Sequence, residues 1–73
     1  MPKLPIVTAK KLVKVLEKIG FRNSRSRGSH IIMVHLDGRR AVVPMHGKDI
    51  PNGTLLAILK DVGLSKEDLV GLI

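Results

Sequence analysis

Apolar residues recur at helical spacing near the start of the chain, at Ala9, Leu12, Val13, Leu16 and Ile19. Thr8 stands before them as an N-cap and Gly20 behind them as a stop, which predicts a first helix between the two. From residue 21 the period shortens. Residues 21–27 read as a polar strand whose charges suit the edge of a sheet. Residues 29–36 are rich in β-branched side chains and predict a second strand. The turn pair Asp37-Gly38 returns the chain as a third strand over 39–45. Pro44 has no amide hydrogen to give a ladder and marks the end of regular pairing. Ile50-Pro51-Asn52-Gly53-Thr54 is a turn feeding a helix over 54–62, with Leu55, Ile58, Leu59 and Val62 as its apolar stripe and Gly63 closing it. Ser65 and Asp68 have the spacing of a capping box for a short last helix over 66–72.

The order α-β-β-β-α-α, without linker, repeat or low-complexity segment, predicts one α+β domain over residues 1–73. Its helices should lie on one face of a three-stranded antiparallel sheet. This architecture raises a difficulty. Ile31, Ile32, Met33, Val34, Val42 and Val43 are apolar on both strand parities, yet helices on one side cover only half of them. The uncovered half would be an apolar patch beside cationic edges, so a partner protein or a homodimer is expected there.

Charge narrows the class of partner. Thirteen Lys and Arg stand against six Asp and Glu, a net charge of +7 with a pI near 10.4, which favours a polyanion such as nucleic acid. Phe21 is the sole aromatic residue, so the chain has no aromatic platform for exposed bases. That argues against an RRM, an OB-fold or a cold-shock reader and leaves recognition of backbone and shape. Without cysteine there is no disulfide or thiolate site, and the three histidines and six acidic residues show no zinc or di-metal spacing. No metal and no cofactor are expected. The sequence shows neither a long apolar run nor a signal peptide, and a cytoplasmic protein unattached to membrane is expected.

The segment Arg25-Ser26-Arg27-Gly28-Ser29-His30 carries the candidate chemistry. Imidazole is the side chain best suited to exchange protons near neutral pH. An RNA phosphodiester can be cut without metal if His30 takes the 2′-hydroxyl proton while Arg25, Arg27 and Lys48 stabilise the crowded phosphate. Ser29 is positioned to bond a phosphate or the backbone. Lys10, Lys14 and Lys18 stack along one stripe of the first helix, as a solvated face or as part of an RNA grip. Whether His46 joins His30 depends on the second hairpin. A two-residue loop at Asp37-Gly38 puts the histidines on opposite faces, and a three-residue loop that includes Leu36 puts them on the same face. His35, just before the turn, is read as structural and at a solvent edge. Two other readings stay open: a double-stranded RNA-binding module without chemistry, and an interaction protein whose charge serves only solubility.

Gly28-Ser29-His30, Asp37-Gly38-Arg39-Arg40, Val43-Pro44-Met45-His46 and Gly53-Thr54-Leu55 through Ile58-Leu59 to Gly63-Leu64-Ser65 occur in this order. With that set the chain closely resembles the HicA toxin family. The resemblance covers residues 5–70. It implies a fold like the double-stranded-RNA-binding domain, α-β-β-β-α, and an endoribonuclease that cleaves mRNA and halts translation. It also implies a HicB-type antitoxin that covers the active surface, and it matches His30 to the family's catalytic histidine. The chain has Ile31 where many members carry a second histidine, and Leu36 where many carry proline before Asp-Gly.

Overall fold

In the computed structural model, which describes residues 4–45, 47 and 49–73, the elements run α1 (Ala9–Lys18), β1 (Arg22–Arg27), β2 (His30–Val34), β3 (Arg40–Pro44), α2 (Asn52–Val62) and α3 (Lys66–Leu72). The α+β order expected from the sequence is the observed one. Thr8 caps α1 by accepting a hydrogen bond from the Lys11 amide at 3.1 Å. The helix ends in a Schellman motif. The Phe21 amide reaches back to the Leu16 carbonyl and the Gly20 amide to that of Glu17, with Gly20 at φ +100°. Its buried stripe is Ala9, Leu12, Val15 and Leu16; Val15 replaces Val13, which is only half-buried.

The three strands form an antiparallel sheet in the order β1-β2-β3. Two tight connections set its register. Gly28, at φ +58°, and Ser29 form a two-residue hairpin loop with glycine first, the type II′ pattern. This loop sets Arg27 directly opposite His30. Between β2 and β3 the loop has three residues: the His35 amide donates to the Arg39 carbonyl at 2.8 Å and the Gly38 amide to the His35 carbonyl at 2.9 Å. Gly38 takes φ +96°, as a type I turn with a glycine bulge requires. The register that follows pairs His30 with Pro44, Ile32 with Val42 and Val34 with Arg40. Of the two loops the sequence allowed, the longer one forms.

Residues opposite one another share a face, so this register sorts the side chains. Met33, Ala41 and Val43 are buried and Ile31 is half-buried, facing the helices. The core joins them to Val7, Leu12, Val15, Leu16, Phe21, Leu55, Leu59, Val62 and Leu69. Each large side chain fully buried there contributes roughly 1.5–3 kcal/mol. Helix α2 begins two residues earlier than its apolar pattern suggests, because the Leu55 amide already bonds the Pro51 carbonyl at 2.9 Å. The predicted capping box of α3 is present, with Asp68 and Ser65 each accepting from the other's amide at 3.0 Å.

The tip of the β2–β3 hairpin is fastened to the carbonyl ends of two helices, where donors and cations are favoured. His35 Nδ1 accepts from the Asp37 amide at 3.1 Å, which leaves the proton on Nε2 to be donated to the Ile19 carbonyl, also at 3.1 Å. The same ring meets Phe21 edge-on at 5.1 Å. Histidine 35 is therefore structural, but half-buried rather than at a solvent edge. Arg39 donates to Asp37 at 2.8 Å and to the Val62 carbonyl, and lies over the Phe21 ring at 5.2 Å. Lys18 donates to the Leu72 carbonyl at 2.9 Å, so this third lysine of the α1 stripe ties α1 to α3.

Candidate functional site

The face of the sheet away from the helices carries the candidate chemistry. Its three cross-strand rows are Arg27–His30–Pro44, Arg25–Ile32–Val42 and Arg22–Val34–Arg40. His30, the first residue of β2, is exposed, and so are all four arginines. Four of the chain's five arginines thus rise from one face, and none of the three strands contains an acidic residue. The fifth, Arg39, is held in the hairpin clamp on the other side.

Local sequence explains how His30 and Arg27 meet. The Gly28-Ser29 turn folds β1 back onto β2 at once, so the pair faces across the closed end of a hairpin. Opposed β-carbons at such a position lie roughly 4.5–5.5 Å apart. The Ser29 carbonyl accepts from the Met45 amide at 2.5 Å, which extends the β2–β3 ladder past the turn. Arg25 stands one row away on the same side.

Two arginines of this face were not singled out by sequence reasoning. For Arg40 the signal exists: it lies opposite Val34 once the three-residue loop is accepted. For Arg22 strict alternation misleads. Counting back by twos from Arg27 and Arg25 reaches Asn23 and puts Arg22 on the other side. The structure has a β-bulge between Asn23 and Arg25, with Ser24 as the extra residue, and the face of Arg22 is thereby reversed.

Two of the other expected RNA contacts are placed elsewhere. Lys10 and Lys14 are exposed on α1, in the helical layer on the far side of the sheet from His30. Lys10 borders a cleft of about 470 Å³ with Thr8, Met45, Gly47 and Asp49. His46 and Lys48 lie outside the described residues. Among the described residues, no three His, Cys, Asp or Glu side chains gather where they could share a metal ion, and no helix is long and apolar enough to cross a membrane.

A three-stranded sheet backed by helices, with a histidine and four arginines on its outer face, defines a small basic α+β protein. The chain belongs to the HicA toxin family of bacterial toxin–antitoxin systems, whose family model matches residues 9–64. No curated protein of similar sequence matches it.

Proposed function

We propose that the protein is the toxin of a type II toxin–antitoxin pair and acts as a metal-independent endoribonuclease on mRNA, with His30 as its proton-transfer residue. The observation that carries this reading is the direct opposition of His30 and Arg27 on an exposed, acid-free sheet face. In the proposed reaction the His30 imidazole takes the proton of a ribose 2′-hydroxyl. The freed oxygen attacks the adjacent phosphorus while Arg27 and Arg25 balance the added negative charge on the phosphate oxygens. The bond to the 5′-oxygen then breaks, that oxygen takes up a proton, and a 2′,3′-cyclic phosphate remains on the other fragment. General base catalysis of this kind supplies about 10²–10⁴-fold. Preorganised cations at the phosphate add a comparable factor.

A HicB-type antitoxin would silence the enzyme by covering the same face, where Ile32, Val34, Val42 and Pro44 offer apolar area between the arginines. The deciding experiment is cleavage of a labelled mRNA in EDTA by the purified protein and by its His30→Ala variant. Cleavage by the first and not by the second is expected. Equal cleavage by both would remove His30 from the mechanism. Cleavage that needs an added metal would end the metal-independent reading.

A further inference from the structure

We propose that the open sheet face is a docking track for single-stranded RNA, in which Arg22 and Arg40 grip the strand beyond the cleavage point. The inference rests on the ribonuclease reading above and extends it to a substrate form and to two further residues. The bulge at Ser24 brings Arg22 into line with Arg25 and Arg27 along β1. Successive rows are two residues apart, roughly 6.8 Å at the rise of an antiparallel strand. That repeat resembles the separation of neighbouring phosphates in an extended nucleic acid strand. Arg40 stands at the opposite edge of the last row, two strand spacings or roughly 9.6 Å from Arg22. Guanidinium groups bind phosphate oxygens in pairs and offer flat faces on which bases stack. They can therefore supply the platform that the missing aromatic side chains do not.

The middle of the track favours an unpaired strand over a duplex. Ile32, Val34 and Val42 lie between the arginines, and Val42 is 41% exposed. A duplex would present its phosphates to this apolar strip and keep its bases hidden, leaving the strip without a partner. An unpaired strand can lay base faces on the aliphatic side chains while its phosphates reach the arginines on either side. A second copy of this chain is a poor occupant, because it would set four arginines against four. From the His30 row to the Arg22–Arg40 row the track covers four residues, roughly 13.6 Å. It would hold about two nucleotides on one side of the cut.

The test uses a fluorescent 2′-O-methyl RNA strand, which lacks the attacking hydroxyl, so that binding is read without cleavage. A failed grip and a failed mechanism are then separate results. Anisotropy titrations over a range of salt would compare the wild type with two double variants, Arg22→Gln with Arg40→Gln and Lys10→Gln with Lys14→Gln. Circular dichroism would check that each variant is folded. The arginine pair should lose affinity about tenfold or more and flatten the log–log salt slope by about 1.4, at ~0.7 for each lost phosphate contact. The lysine pair should lose much less, and the wild type should prefer the single strand to the matching duplex. Arg22→Lys with Arg40→Lys keeps the charge and should restore the salt slope while recovering only part of the affinity. Equal losses in the arginine and lysine pairs would reduce the effect to net charge and overturn the assignment. So would tighter binding of the duplex. Unchanged RNA binding in the arginine pair would overturn it too.

Discussion

Arg27 and His30 face each other directly across the β1–β2 hairpin, with only Gly28 and Ser29 between them. The separation of this pair is set by a two-residue turn and not by distant packing, so the pair is ordered as soon as the hairpin forms. Substituting Arg27 by Gln should lower the cleavage rate about 10²–10³-fold, the usual cost of removing one preorganised donor from a developing anion. Single-turnover cleavage rates would show it. A change of less than threefold would mean that Arg27 does not touch the reacting phosphate.

The turn itself offers a second check. Gly28 holds φ +58° with open space around it, so an added methyl group meets nothing and acts through the backbone alone. Gly28→Ala should cost about 1–3 kcal/mol and slow cleavage by loosening the Arg27–His30 pair. Thermal unfolding and cleavage measured on the same preparation should fall together.

Gly20 combines two constraints. It sits at φ +100°, and a β-carbon there would come within 2.8 Å of His35 Nε2. Gly20→Ala should therefore destabilise by more than the about 1–2 kcal/mol of the backbone conformation alone, because the ring must leave the Ile19 carbonyl to make room. Pairing it with His35→Ala removes the clash. The double variant should lose less than the sum of the two single losses, and chemical denaturation of the three proteins would measure the difference.

Stability should weaken in acid through two carboxylates. The Arg39 amide, helped by the Arg39 guanidinium, holds Asp37 below the usual carboxylate range. The Ser65 amide, helped by the Ser65 hydroxyl, does the same for Asp68. A carboxyl with a lower pKa in the folded state adds stability above its unfolded pKa and loses it as pH falls through the folded value. The loss should therefore begin below about pH 4, and Asp37→Asn with Asp68→Asn should flatten it. Melting temperature against pH is the measurement.

The two faces of the sheet should respond unequally to substitution. Met33 is fully buried, and Met33→Ala should cost about 2–5 kcal/mol. Val42 faces outward from the neighbouring strand, and Val42→Thr should change stability by less than about 0.5 kcal/mol. Denaturant midpoints would compare them, and a large cost at Val42 would mean the sheet is covered on both sides.

Much of this molecule is local and therefore legible along the chain. Thr8, Gly20, Gly63 and the Ser65–Asp68 pair mark helix ends because caps are contacts between residues a few positions apart. The α+β class follows from where the hydrophobic period changes. His30 and its arginine neighbours stand out because they are close in sequence. Other features needed the assembled sheet. The spacing of apolar residues in α1 fits Val13 as well as Val15, and only the assembled core selects Val15 for burial. Side chains alternate with a period of two, so one added residue reverses a face. The third residue of the 36–38 loop decides what lies across from His30, and the bulge at Ser24 decides where Arg22 points. Both are one-residue choices between near-equal local alternatives. They are settled by hydrogen bonds across strands and by the fastening of His35 and Arg39 to helix ends sixteen and twenty-three residues away. Contacts at that separation leave no periodic trace in the order of the amino acids.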